Sequence, residues 1–158
     1  MAPTSNGWWM AAEPARGATA DPLKLRAVDG EDIAVMSAIL QDALVAVSEI
    51  AYLPDEHRFV MIANRFRGEV ATINLERVRC GVRFDNVTAV WRQGFSPRDR
   101  DRILVLLAIR AEDGVLRLDF AGGPAIRLEV AGILCHLEDL GEPWPTPRQP
   151  RHRIESGV

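Results

Sequence analysis

The stretch RVRCGVRF, residues 77–84, decides the fold class of this chain. Its even positions are all apolar, and three of its four odd positions are arginine. A period of two places the two sets on opposite faces of a strand, so the stretch predicts a strand with one apolar and one basic face. A sheet with one face in water is typical of antiparallel structure, which sets the expectation for the rest of the chain.

Downstream, the same alternation recurs between turn signals. Asp113-Gly114 and Gly122-Gly123-Pro124 have the composition of tight turns. Ser96-Pro97-Arg98-Asp99 offers a capping serine, a proline and an acid at the spacing that opens a short helix or a turn. The strands predicted around these signals cover residues 87–91, 116–120, 126–130 and 133–137. Residues 103–109 are a continuous apolar run, which favours a buried strand, with a continuation of the helix that opens at Ser96 as the alternative.

Upstream, the period changes to that of a helix. Residues 23–28 alternate as a short strand, and Asp29 then has the features of a helix N-cap. Glu31 and Asp32 follow in the first turn, where negative charge favours the helix dipole. Apolar residues recur at three- and four-residue spacing and predict one apolar stripe. The stripe consists of Ile33, Met36, Ile39, Leu40, Ala43 and Leu44.

Between that helix and the opening stretch, the sequence predicts a hairpin. Residues 45–52 return to a period of two, with a slip of phase at Ser48-Glu49. Residues 54–57 have the composition of a turn, and 59–66 alternate again as a strand. Residues 67–75 are ambiguous, although Gly68 favours a loop.

The prediction is an α+β fold in which an N-terminal strand and one main helix precede about seven strands. Short connections favour antiparallel neighbours, and this element set favours a curved sheet or a partly closed barrel with the helix over an opening. A pleckstrin-homology-like barrel is one candidate shape. We expect a disordered leader at 1–21, a single domain at 22–141 and a Pro-rich extended tail at 142–158.

Three segments together resemble a known family. They are DPLKLRAVDGEDIAVMSAILQDALV (21–45), ERVRCGVRFDNVTAV (76–90) and HLEDLGEPWPTP (136–147). Over residues 23–147 the chain resembles the bacterial family of domain of unknown function 2948, because the acidic helix opening and the Pro-Trp-Pro ending occur together and in order. The resemblance implies a single domain, but it implies no activity and no catalytic residues.

Composition limits the classes of function. The formal charge of -3 at pH 7 gives no overall attraction to nucleic acid or anionic membranes. The N-terminus has no basic segment followed by a long apolar core, and no run approaches about 18 apolar residues, so we expect neither a secretory signal nor a membrane span. Cys80 and Cys135 are expected to be buried free thiols, and the chain is placed in the cytoplasm.

The sequence contains no recognised catalytic or metal signature. It has no Gly-rich phosphate loop, nucleophile elbow, His-Glu-x-x-His or Cys-x-x-Cys. We therefore predict no catalytic residue, no metal and no cofactor, which favours a protein that is not an enzyme. Asp55-Glu56-His57 crowd one turn and form either a general-base arrangement or a solvated hairpin tip.

The basic side of the sheet is the best candidate site. Of the 19 basic residues only Lys24 is a lysine, which reflects either a G+C-rich genome or selection for forked guanidinium contacts. In the alternative interpretation these arginines are solvated and pair with local acids such as Asp85, and the tail tryptophan packs back on the sheet. The predicted binding residues are Arg77, Arg79, Arg83 and Arg92, with Trp91 and Trp144 as partner anchors.

These features favour a non-enzymatic protein-interaction or binding module that uses the Arg-rich sheet face. RNA or other nucleic-acid binding through the same face is an alternative, against which the acidic net charge weighs. An enzyme or small-ligand carrier with a pocket at the barrel mouth is another. An open sheet edge leaves room for a homodimer. Trp8 and Trp9 indicate an anchor in the leader, or a true start at Met10.

Overall fold

The predicted N-terminal strand, the helix and the antiparallel strands are present in the computed structural model, which describes residues 22–66 and 76–141 and the backbone of 144–145. Within that part, ten strands follow the helix, against a prediction of about seven. The elements are β1 (Lys24–Ala27), α1 (Gly30–Leu40), β2 (Leu44–Ala46), β3 (Ile50–Leu53), β4 (Arg58–Phe66), β5 (Glu76–Phe84), β6 (Val87–Gln93), β7 (Ile103–Glu112), β8 (Val115–Phe120), β9 (Ala125–Val130), β10 (Cys135–Asp139) and β11 (Trp144–Pro145).

The larger number of strands has two main sources. The predicted strand at 45–52 is divided into β2 and β3 by a 3-10 turn over Val47–Glu49, which is the phase slip seen in the sequence. The second source is β11, in the predicted Pro-rich tail, which pairs with β5. Its register is Trp144 opposite Arg77, a pairing between distant segments that no local periodicity predicts.

The helix begins as predicted. The side chain of Asp29 accepts a hydrogen bond from the Asp32 amide at 2.9 Å, and Ile33, Met36 and Leu40 are buried. A capping side chain satisfies one of the amides that a helix start leaves without a partner. The acidic opening of this segment therefore fixes where the helix starts, and its stripe fixes which side faces the core.

The helix ends earlier than the sequence predicts. The stripe extended to Ala43 and Leu44, but the helix ends at Leu40 and Leu44 already belongs to β2. Asp42 has a φ of 69°, a left-handed conformation that a helix cannot continue through. Its amide donates to the Leu106 carbonyl at 2.8 Å, so the chain joins β7 and buries its next apolar residues as a strand.

All pairings among the described strands are antiparallel. Their order is β1-β10-β5-β4-β2-β7-β8-β9-β6, with β3 also on β4 and β11 also on β5. β7 belongs to two halves of the sheet, because its first residues pair with β2 and the rest with β8. The path ends at β1 and β6, which do not pair with each other, so the sheet is curved but not closed.

The two halves of the sheet and α1 enclose one core. The four even positions of β5 from Val78 to Phe84 are buried, which confirms its predicted inner face. Phe59 and Phe84 meet there with ring centres 6.0 Å apart. The other half contributes Leu106, Leu116, Leu118, Phe120, Ile126 and Leu128. The odd positions of β5 therefore face away from this core.

The predicted turns are present. Asp113 and Gly114 have φ angles of 44° and 78°. Two positive φ values match the twist of the flanking strands and suit a two-residue hairpin. At Ser96 the second of the two predicted outcomes is found: its hydroxyl accepts from the Arg98 amide at 3.0 Å, but a turn follows rather than a helix.

A buried ion pair joins β4 to β10. Arg65 donates to Asp139 twice, from Nε to Oδ1 at 3.1 Å and from Nη2 to Oδ2 at 3.0 Å. Arg65 is 2% exposed and Asp139 is 6% exposed. The same carboxylate accepts from the Leu23 amide at 2.8 Å. One side chain thus holds together β4, β10 and the chain that enters β1.

Replacing Asp139 with asparagine should lower the free energy of unfolding by about 3–5 kcal/mol, because Arg65 would keep a buried charge without its counter-ion. Urea unfolding of the full chain measures this. The control is Glu49→Gln, which breaks an exposed 3.1 Å pair with Arg79 and should cost at most about 1 kcal/mol. Equal losses in the two variants would show that the buried pair does not stabilise the fold.

Candidate functional site

The three arginines predicted on β5 share its outer face, but that face is not open at Arg77. Arg77 is 6% exposed, and its Nη1 donates to the Asn64 carbonyl at 2.7 Å. Its guanidinium lies 4.2 Å from the centre of the Phe66 ring. Burial lowers the pKa of Arg77, and Asp42 opposes this effect. The guanidinium of Arg77 is therefore directed at the protein rather than at solvent.

Arg79 and Arg83 contact local acids, as in the alternative interpretation of the sequence. Arg79 is exposed, with Nη2 3.1 Å from Glu49. Arg83 donates from Nε to Asp85 at 3.1 Å, and its Nη2 lies 3.1 Å from Nδ1 of His136. An arginine only donates, so Nδ1 accepts and the imidazole is neutral. Burial lowers the pKa of His136, and Arg83 lowers it further.

The two predicted tryptophan anchors occupy different places. The backbone of Trp144 is paired with β5, and its side chain lies outside the described residues. Trp91 lies on β6 and is 47% exposed. Tyr52 is paired with the buried Phe59 and therefore lies on the core-facing side, so it does not share a face with Trp91. Trp91 is thus the predicted anchor whose side chain is open to a partner.

Trp91 stands at the end of a row of arginines across the outer face of the second half of the sheet. The directly paired positions are Trp91–Arg127, Arg127–Arg117 and Arg117–Arg110, which cross β6, β9, β8 and β7 in turn. The Arg127 guanidinium lies 4.6 Å from the centre of the Trp91 ring. The side chains of Arg127, Arg117 and Arg110 are 47%, 41% and 64% exposed. We term these four residues the Trp–Arg row.

Two carboxylates lie beside the Trp–Arg row. Asp119 accepts from Arg117 at 2.8 Å and from Arg110 at 2.6 Å, and Glu129 lies 3.8 Å from Arg127. The row and its two carboxylates therefore carry three positive and two negative charges, a net charge of +1. The row is a mixed-charge surface in which the arginines repel one another and the carboxylates offset part of that repulsion.

Arg92, the fourth predicted binding residue, lies on the other side of β6 from Trp91. It is paired with Ile126, which is 1% exposed, so Arg92 is on the core-facing side of its strand. Arg92 is nevertheless exposed, and no hydrogen bond or ion pair joins it to the described residues. The four predicted arginines therefore do not form one surface.

Groups that could carry acid–base or metal chemistry are scattered. Within residues 22–66 and 76–141, no three His, Cys, Asp or Glu side chains come together as metal ligands would. Asp55, Glu56 and His57 are exposed at the hairpin tip. Cys80 and Cys135 are buried and free. Burial, followed by Asp139, raises the pKa of Cys80 to about 12, and burial also raises the pKa of Cys135.

Part of the Trp–Arg row has a signal in the sequence. A two-residue turn at Asp113-Gly114 pairs Glu112 with Val115 and, by counting back, Arg110 with Arg117. The hairpin at Asp113-Gly114 is predicted from the sequence, but the pairing of Arg110 with Arg117 is not. The contact of Arg127 with Trp91 has no such signal, because two strands, β7 and β8, and three connections lie between β6 and β9 in the chain.

The comparisons with known proteins name a family and no activity. The family model for a protein of unknown function (DUF2948) matches residues 23–152. Neither the curated proteins nor the solved structures contain a match. The pleckstrin-homology-like shape therefore stays a prediction. Among the residues that the structure describes, no helix is long and apolar enough to span a bilayer.

Replacing His136 with glutamine should flatten the pH dependence of stability on the acidic side. The folded protein holds His136 at a pKa below the ordinary 6.5, so between these two values the unfolded chain binds more protons. Stability therefore rises with pH within this window and is lost as the pH falls through it. Urea unfolding at a series of pH values below 6.5 measures the slope. His57→Gln is the exposed control, and an unchanged slope in His136→Gln would exclude His136 as its source.

The two thiols should resist alkylation while the protein is folded. A thiolate is the reactive form, and burial keeps both groups as thiols. Iodoacetamide at mildly alkaline pH should leave Cys80 and Cys135 unmodified in the folded protein and should modify both in guanidinium chloride. Intact-mass spectrometry counts the added groups. Rapid labelling of the folded protein would mean that one of the two strands opens readily.

Proposed function

The chain belongs to the DUF2948 family of proteins of unknown function, and we propose that it is a non-enzymatic protein-binding module. In this proposal the Trp–Arg row meets an acidic segment of a partner protein. The proposal keeps Trp91 from the predicted site and moves the basic surface from β5 to β7, β8 and β9.

The observation that carries the proposal is the direct opposition of three arginines on neighbouring strands. Side chains at such positions are roughly 5 Å apart at Cβ, and like charges there destabilise a sheet. Locally unfavourable arrangements of this kind tend to occur at functional sites. Asp119 and Glu129 balance only two of the three charges. A carboxylate from a partner would balance the third.

Trp91 supplies the apolar part of the proposed contact. Its ring is 47% exposed and is held on one side by the Arg127 guanidinium. Tryptophan and arginine are the residue types that most often carry the binding energy of protein interfaces. A large flat side chain at one end and forked donors along the row suit a segment that lies across the strands.

The charges of the row favour a protein over a nucleic acid as the partner. Asp119 and Glu129 lie among the arginines and would repel a continuous phosphate backbone. A protein segment can place carboxylates near the arginines and polar groups near Asp119. The exposed Trp91 side chain would also suit RNA, because bases stack on aromatic rings.

A cytoplasmic location is part of the same proposal. It is supported by Cys80 and Cys135, which are buried, free and not paired with each other. Free thiols of this kind are the usual state of cysteine in a reducing compartment.

The test is affinity capture of the tagged full chain from its native host, read by quantitative mass spectrometry with and without nuclease. Arg117→Gln with Arg127→Gln should reduce the captured partner at least about tenfold, because each lost charge-assisted hydrogen bond is worth ~1.5–3 kcal/mol. The melting temperature of this double variant should change little, since both side chains are exposed and their ion pairs are weak.

The matched control is Arg79→Gln with Arg98→Gln, which removes the same charge from exposed positions outside the row. It should capture as much partner as the unaltered chain. Equal capture by both double variants would exclude the row as the binding surface. A partner set that disappears with nuclease would replace the protein with a nucleic acid as the bound molecule.

A further inference from the structure

Among the described strands, none pairs with the last residues of β7 on the edge that faces α1. β2 pairs with this edge only along residues 103–105. Further along, the Ile109 amide donates to the Ser37 hydroxyl of α1 at 2.9 Å, so the backbone of Ile109 points to this edge. Ala111, two residues later, points the same way, and within the described residues no backbone hydrogen bond reaches its amide or its carbonyl there. Unpaired backbone groups of this kind are a template for a further strand.

An open groove of about 440 Å³ lies between this edge and the first turns of α1. Ile33 and Ile109, which are 1% and 3% exposed, form its apolar floor, and Gly30, Ala34 and Ala111 border it. A Cβ atom added at Gly30 would meet no other heavy atom within 4 Å, so the helix side of the groove is open. The volume lies within the roughly 300–1,000 Å³ of ligand sites in proteins. We term this site the β7 groove.

The rim of the β7 groove carries two opposite charges. Alternation along β7 places Arg110 and Glu112 on the outer face, on either side of Ala111. Opposite charges that face each other on neighbouring strands are stabilising, and like charges are destabilising. A strand added to this edge should therefore place an acid opposite Arg110, an apolar residue opposite Ala111 and a base opposite Glu112.

The tail of this chain contains these three residue types in the required order. Residues 153–155 are Arg-Ile-Glu. In an antiparallel pairing centred on Ala111, the base of this segment lies opposite Glu112, the isoleucine opposite Ala111 and the acid opposite Arg110. Paired residues point to the same face, so the isoleucine would face the apolar floor and both charges would stay in water.

The direction and the length of the tail suit this pairing. β11 is antiparallel to β5 and therefore parallel to β7, so β11 points toward the end of the sheet at which β7 ends. On a flat sheet, four strand spacings of about 4.8 Å and four residues of about 3.4 Å separate Pro145 from Glu112, roughly 23 Å. The eight residues from Pro145 to Arg153 span at most about 26–29 Å. The tail would thus reach Glu112 first and Arg110 last, which is the antiparallel direction.

We propose that residues 153–155 bind in the β7 groove as an antiparallel strand. Ala111 and Ile154 would exchange two backbone hydrogen bonds, and the Ile154 side chain would cover Ile33 and Ile109. Three residues make a small contact, but a short linker within one chain gives the segment a millimolar effective concentration.

The bound tail would act on one end of the Trp–Arg row. Arg110 is the last member of that row, and Glu155 would take there the place of a partner's carboxylate. Asp119 and Glu155 would then both contact Arg110, so the tail would compete with an acidic partner. This consequence rests on the proposed function, whereas binding of the tail in the groove does not.

The test is amide hydrogen exchange of the full chain, followed by NMR at single residues. The Ala111 amide should exchange at least about fivefold more slowly in the unaltered chain than in Ile154→Pro, because a proline cannot donate to the Ala111 carbonyl and interrupts the added strand. Gln149→Pro is the matched control. It adds a proline to the same tail outside residues 153–155 and should leave exchange at Ala111 unchanged.

The charges of the rim give a second test. Arg153→Glu places a like charge opposite Glu112 and should speed exchange at Ala111 about twofold or more. Adding Glu112→Arg makes the charges opposite again and should restore the slow rate. Arg117→Gln with Arg127→Gln should leave exchange at Ala111 unchanged, so the tail and the proposed function can fail separately.

Three results would overturn the proposal. The first is equal exchange at Ala111 in Ile154→Pro and in the unaltered chain. The second is a charge exchange between Arg153 and Glu112 that does not restore the rate. The third is slow exchange that is lost on dilution, which would assign the groove to the tail of a second copy.

Discussion

The carboxylate of Asp139 is the contact on which the rest of the sheet depends. It binds Arg65 on β4 at 3.0 Å, and the Leu23 amide before β1 at 2.8 Å, while its own strand, β10, lies on the other side of β5. A buried carboxylate and guanidinium are costly when apart and acceptable only in good geometry. The pair therefore fixes the register of β4, β5 and β10 together. β5 has neighbours on both sides, with β4 along residues 77–84 and with β10 and β11 along residues 80–84 and 76–77.

β5 is a central strand with neighbours on both sides, so it presents no free edge to a partner, and most side chains of its outer face already contact other residues of the protein. The outer face of β5 carries the predicted arginines, but Arg77 donates into β4 and Arg83 donates to Asp85. The proposed binding surface lies instead on the other half of the sheet, which ends at β6. β6 is the last strand of this path, and among the described strands it pairs only with β9. Alternation along β6 places Trp91 on the outer face, in the row, and its neighbour Arg92 on the other side of the strand.

The difference between local and long-range contacts explains which parts of the structure the sequence predicts. Alternation along residues 77–84, the Asp29 cap and the Asp113-Gly114 turn are local, and the structure confirms the strand, the helix start and the hairpin that they predict. The helix end is less local, because Asp42 leaves the helix to bond with Leu106. Periodicity shows that the β5 arginines share a face. It cannot show that Phe66 lies under one of them, or that the tail pairs along the edge of the same strand.

Burial shifts the pKa of several titratable side chains in the sheet. Groups that titrate near neutral pH are the usual acids and bases of enzymes. Here Cys80 is buried with its pKa raised to about 12, and His136 is kept neutral by burial and by Arg83. Asp139 is committed to the buried ion pair. Arg92 has no counter-ion among the described residues, and a guanidinium does not lose its proton in this pH range. What Arg92 can contribute is a fixed charge and a fork of hydrogen-bond donors.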